Sequence, residues 1–166
     1  PSGYSQEFRI ENITSEYVRV EKGLSQNSVY SIIQDQEGFL WIGTWNGLNK
    51  FDGYSFRTFF RNPNQPEAGL SNSTIVGIAE DSIGSIWVAT SKGLNRIRKS
   101  DYTITQFKAD DQSEYAIPSD SINTIYSDNQ GMIWVGTKRG LIKLNPNTLY
   151  FKYIEHNPRD FSTLSS

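Results

Sequence analysis

Three tryptophans, Trp41, Trp87 and Trp134, stand 46 and 47 residues apart inside one recurring pattern. Asp35, Asp81 and Asp128 each lie six residues before the Trp, and Gly38, Gly84 and Gly131 three before. Thr44, Thr90 and Thr137 follow three after, and then come Gly47-Leu48, Gly93-Leu94 and Gly140-Leu141. Leu24, Leu70 and Ile117 open the units, and Leu164-Ser165-Ser166 begins a fourth that stops at once. Columns in this close a register mean one structural unit repeated, each copy burying its apolar face against the next.

Each unit holds four short runs of β-branched and aromatic residues, separated by Gly, Asn, Asp or Pro. The pattern predicts strands over 29–34, 39–44, 48–51 and 54–60 in the first unit. The second gives 75–80, 85–90, 94–97 and 103–107, and the third 122–127, 132–137, 141–144 and 150–154. Polar stretches at 61–69, 108–115 and 155–163 join the units. Four antiparallel strands per repeat describe one β-propeller blade. No segment sustains a 3.6-residue apolar period, which excludes a helical solenoid. An immunoglobulin-like sandwich would not repeat in register. The expected fold is all-β: a partial β-propeller of three four-stranded antiparallel blades plus flanking strands, a fragment of a larger ring. Residues 1–22 are expected to close a preceding blade, with strands near 8–13 and 17–20. Blades then occupy 23–62, 70–108 and 117–155, and 156–166 starts a fourth. Propellers use about four to eight blades, so three leave apolar faces open. Self-association, most simply as a homodimer, is expected.

The recurring residues have structural roles. Asp35-Gln36-Glu37-Gly38 and its copies form tight turns in which Asp accepts from a backbone N–H two residues on. Thr44-Trp45-Asn46-Gly47 and its copies form the next hairpin, closed by Gly. Ser31, Gly77 and Thr124 make a small-residue column on the strand nearest the hub. The repeated Trp residues wedge between blades, each burying roughly 200 Å².

The formal charge of −2 offers no basic footprint for nucleic acid. Absence of cysteine removes disulfides and thiolate chemistry. The one histidine, His156, sits in a polar loop and leaves neither a Cys-His pair nor a Ser-His-Asp triad with a nucleophile elbow. No zinc spacing or phosphate-cradling motif exists, and no cofactor is expected. Asp110-Asp111 reads as a solvated linker pair. No apolar run approaches the ~20 residues that span a bilayer, and Pro1-Ser2-Gly3-Tyr4 does not open a signal peptide. A sialidase-like propeller would need a Tyr nucleophile, an acidic partner and an arginine cluster. Tyr30 and Tyr126 fall in different columns and have no matching arginines. The sequons at Asn12 and Asn72 are matches that an Asn- and Ser-rich chain makes by chance. The chain is not expected to be an enzyme.

The strings Gly23-Leu24-Ser25-Gln26-Asn27-Ser28-Val29-Tyr30-Ser31-Ile32-Ile33-Gln34-Asp35 and Gly38-Phe39-Leu40-Trp41-Ile42-Gly43-Thr44 resemble the two-component regulator propeller repeat. The match continues through Gly47-Leu48-Asn49-Lys50-Phe51-Asp52-Gly53. Unit two departs at Ala89, Ser91 and Lys92, and unit three at Pro118. The resemblance implies a seven-bladed propeller, often one of a tandem pair, on the periplasmic side of a membrane-anchored receptor. It implies a histidine kinase, hybrid kinase–regulator or diguanylate cyclase as output, and an oligosaccharide or other small molecule as ligand.

The family has no fixed binding motif, so candidate residues come from propeller geometry. Turns between second and third strands share a face with the hub entrance, which gathers Trp45, Asn46, Ser91, Lys92, Lys138 and Arg139 as candidate ligand-binding residues. Trp45 breaks a column filled elsewhere by Ser91 and Lys138. An exposed Trp beside Asn suits stacking on a sugar ring. Two functions stay open: an extracytoplasmic ligand-sensing module of a signal-transduction receptor, and a protein–protein or dimerisation scaffold that takes no small ligand.

Overall fold

The computed structural model describes residues 23–109 and 116–154. The expected closing strands at 1–22, Asp110-Asp111, His156 and the fourth onset lie outside the described residues. Within them, twelve strands form three four-stranded sheets. The first holds β1 (Val29–Gln34), β2 (Leu40–Thr44), β3 (Gly47–Phe51) and β4 (Phe56–Phe59). The second holds β5 (Ile75–Glu80), β6 (Ile86–Thr90), β7 (Gly93–Ile97) and β8 (Ile104–Phe107). The third holds β9 (Ile122–Ser127), β10 (Ile133–Thr137), β11 (Gly140–Leu144) and β12 (Phe151–Ile154). Each sheet is an antiparallel meander of consecutive strands, one propeller blade per repeat. A 3-10 turn at Pro66–Ala68 lies in the first polar joint.

The fourth strand of blade 1 starts at Phe56, two residues later than its sequence suggests. Asp52 Oδ1 accepts from the N–H groups of Tyr54 and Ser55 at 2.8 and 2.7 Å. Those donors are thereby lost to the ladder, and the turn extends to Ser55.

Blades stack face to face. Trp41, Leu48 and Phe59 of blade 1 pack with Leu70, Ile75, Ile78, Ile86, Val88 and Ile97 of blade 2. Trp87, Ala89, Leu94 and Phe107 of blade 2 repeat that contact on Ile122, Ile133, Val135 and Ile142 of blade 3. Trp41 and Trp87 are fully buried, whereas Trp134, on the matching face of the third blade, is half-buried. The expected wedge is therefore directional: Trp41 and Trp87 are each covered by the blade that follows. The approach is close, because a Cβ on Gly43 would lie 2.5 Å from Ile75 Cγ2. The inner strands β1, β5 and β9 are neighbours in that order.

Each inner strand carries the same irregularity. Its pairing with the second strand skips Tyr30 in β1, Val76 in β5 and Asn123 in β9. A bulge of this kind re-aims the unpaired side chain. In blade 1 it leaves Tyr30 59% exposed.

Candidate ligand-binding rim

At one end of each blade, a carboxylate holds both a turn and the tryptophan. Asp35 Oδ1 accepts from the N–H groups of Glu37 and Phe39 at 3.0 and 2.9 Å, and Oδ2 accepts from Trp41 Nε1 at 2.8 Å. Asp81 does the same for Ile83, Ser85 and Trp87, and Asp128 for Gln130, Met132 and Trp134. Sequence reasoning assigned the turn bonds but missed the indole bond, which the constant six-residue offset could have disclosed. Burial presses the Asp35 carboxyl upward, but the Trp41 indole, the Phe39 N–H and the Lys99 ammonium outweigh it and hold it below the usual range. The Trp134 indole and Met132 N–H likewise hold Asp128 low.

At the other end, the β2–β3, β6–β7 and β10–β11 turns are built alike. Thr44, Thr90 and Thr137 donate Oγ1 to the carbonyls of Gly47, Gly93 and Gly140 at 2.8–2.9 Å. Each hydroxyl also accepts from the backbone N–H of Asn46, Lys92 or Arg139. Gly47, Gly93 and Gly140 adopt φ of 113°, 114° and 142°, which a side chain would oppose. The N–H groups of Trp45, Ser91 and Lys138 reach the carbonyls of Ser28, Thr74 and Ser121 at 3.0–3.1 Å, tying each turn to the entry of its inner strand. The candidate residues are thus presented from equivalent, well-fixed positions on one rim.

They do not converge in one cavity. Trp45, 57% exposed, faces an apolar groove of about 360 Å³ with Tyr30, Thr74, Ile75 and Val76. Two of the three bulged side chains, Tyr30 and Val76, line it. Lys92 instead faces a polar groove of about 390 Å³ with Arg61, Ser71, Asn72, Gln106, Lys108 and Asp120. The entry segment of blade 2 separates and supports the two, with Asn72 Oδ1 accepting from Thr74 N–H at 2.8 Å and from Ser91 Oγ at 3.0 Å. Asn46, Ser91, Lys138 and Arg139 line neither groove. Tyr30 was missed as a rim residue because nothing in the chain's composition marks a bulge. Among the described residues, no group of three His, Cys, Asp or Glu is placed to hold a metal ion.

The two component regulator propeller family matches residues 23–46, 69–92 and 116–139. Over 41 residues the chain is 58% identical to histidine kinase P4 of Formosa agariphila, covering 25% of this chain and 3% of the kinase. Among solved structures, it is similar to the extracellular domain described as that of the hybrid two component system BT3049 from B. thetaiotaomicron. That likeness has a TM-score of 0.78 at 29% identity and covers 91% of this chain and 21% of that domain. Virginiamycin B lyase from Staphylococcus aureus shares the fold alone, at TM-score 0.56 and 14% identity over 78% of this chain and 41% of the lyase. The chain therefore spans a small part of the length of the relatives it matches. Each of its three blades thus carries a stretch that matches the two component regulator propeller family, and the fold they build resembles the extracellular domain of a hybrid two-component system.

Proposed function

We propose that this propeller segment is a non-catalytic sensing surface in the periplasmic region of a two-component receptor, and that its turn-end rim binds an oligosaccharide. The observation that carries the reading is the juxtaposition of an aromatic-edged apolar groove with a polar groove across one entry segment. Carbohydrates present apolar C–H faces and a ring of hydroxyls, and such a pair of surfaces suits both. The likeness to an extracellular two-component domain supports the placement, and the kinase relative supports histidine-kinase output over a cyclase. The scaffold reading is favoured by Val29 and Ile32, which expose apolar surface on blade 1.

Thermal-shift screening of the full-length protein against neutral oligosaccharides tests the proposal. At least one should raise the melting temperature, and Trp45→Ala should weaken it about tenfold or more while leaving the unliganded midpoint unchanged. A panel without effect, or undiminished binding by W45A, favours the scaffold.

A further inference from the structure

At the opposite end of the blade 1–blade 2 joint lies a second cleft, of about 320 Å³. Lys50 and Arg57 project into it from directly paired positions on β3 and β4. Like charges facing each other across a ladder destabilise it, so the pair needs an explanation.

The other blades show what the Lys50 position ordinarily does. Nine residues after each Trp stands a cation, as Lys50, Arg96 or Lys143. Arg96 lies 3.8 Å from Asp81 of its own clasp. Lys143 lies 4.9 Å over the ring of Trp134, the indole that Asp128 holds, and faces Lys152 across its ladder. In blade 1 this arrangement is broken from outside. Lys99 of blade 2 reaches across to Asp35 and Glu37 at 3.5 and 3.0 Å, while holding Glu80 of its own blade at 2.7 Å. Lys50 is left without its clasp carboxylate.

Lys50 is nonetheless buried, at 9% exposure. Its ammonium sits 3.6 Å from the Phe39 ring centroid and donates to Tyr102 Oη at 3.2 Å. No described carboxylate pairs with it or with Arg57, whose guanidinium stacks 4.0 Å over the Tyr102 ring. Asp52 also lines the cleft. Its oxygens, however, are engaged by the N–H groups of Tyr54 and Ser55 and by Ser55 Oγ. The cleft thus carries two cations against one carboxylate already committed to its turn. Tyr102, at φ 59°, spans the joint. Leu149 takes the same backbone conformation in blade 3, so the turn sets the geometry and the phenol is particular to this joint. A buried ammonium without a counter-charge is costly, and a guanidinium beside it matches the fork of an oxyanion.

We infer that this cleft is an anion site, in which Lys50 and Arg57 together bind the oxyanion of a small ligand, a carboxylate or a sulfate. It lies toward the end of β3 away from the Trp45 turn, so it is separate from the rim and does not depend on the sugar reading.

Titration of the full-length protein with D-galacturonate, with inorganic sulfate and with D-galactose tests it, in parallel with Lys50→Met and Arg57→Gln. Galacturonate or sulfate should bind to wild type and galactose should not, with each substitution weakening anion binding at least tenfold. Binding of galacturonate alone identifies a sugar acid, and binding of sulfate alone identifies an inorganic ion; either outcome supports the oxyanion site. Neutral-oligosaccharide binding at Trp45 should be unaffected by K50M. If K50M does not fold, R57Q, on an exposed side chain, gives the same comparison. Absence of anion binding, or equal anion affinity in the variants that fold, overturns the assignment.

Discussion

The Asp35 carboxylate carries three hydrogen bonds that no other side chain of its size and charge supplies together. In Asp35→Asn, the amide nitrogen cannot accept from Trp41 Nε1, so a buried indole donor is left unpaired. The expected cost is about 1–3 kcal/mol, read as a lower urea midpoint. The pH dependence has a fixed sign. A carboxyl held below its unfolded value of about 3.9 contributes stability that is present above that value and lost as pH falls through its folded one. Urea midpoints should therefore be flat above about pH 5, fall in more acid solution, and fall less steeply in D35N.

Within a blade, the most informative comparison is a paired substitution that the protein has already made. In blades 1 and 2 a buried Asn bridges the unit opening to the second strand. Asn95 Oδ1 accepts from Ser71 N–H at 2.8 Å, and Nδ2 donates to Ser71 Oγ and the Val88 carbonyl at 2.9 and 3.2 Å. Asn49 and Ser25 repeat the set. Blade 3 has Pro118 and Ile142 at these positions, so it has neither the N–H to satisfy nor the amide to satisfy it. Asn95→Ala should cost about 2–4 kcal/mol, since it strands buried partners. The double variant S71P/N95I should cost less than N95A, and a double-mutant cycle by chemical denaturation measures the coupling.

The elements were largely legible in the chain. All three first strands and the repeat register follow from residues whose spacing and turn chemistry are local, as with Gly38 and Gly47 closing hairpins around Trp41. The candidate site was legible only in part. Trp45 stands out because it breaks a column, but its neighbour Tyr30 is aimed by a bulge, and Thr74 and Ile75 reach it from another blade. The Lys50 cleft was hidden for the same reason: its cation column is visible, yet what unpairs Lys50 is Lys99, on the other side of a joint that only packing creates.

Across the whole molecule, polar groups as well as apolar faces hold the blades together. Glu80 accepts from Gln36 N–H of blade 1 at 2.8 Å and from Lys99 at 2.7 Å, while Lys99 engages Asp35 and Glu37. Removing the cation leaves carboxylates facing one another across the joint. Lys99→Met should therefore cost roughly 3 kcal/mol, more than the apolar replacement of an exposed lysine such as Lys92, as thermal melts of the two variants would show.

The covering of Trp41 and Trp87 by the blade that follows gives the assembly a polarity. Blade 1 presents exposed Val29 and Ile32, whereas blade 3 presents a partly open Trp134. Val29 and Ile32 stand where Ile75 and Ile78 of blade 2 meet Trp41, so the two faces are unlike rather than alike. Copies of the 166-residue chain that associate through them should join heterologously, nose to tail, instead of about a twofold axis. Such joining stops only if the accumulated rotation closes a circle and otherwise runs on. Sedimentation velocity should then resolve either one closed species or a ladder of masses that lengthens with concentration, and capping either terminal face with a charged substitution should arrest growth from that side alone.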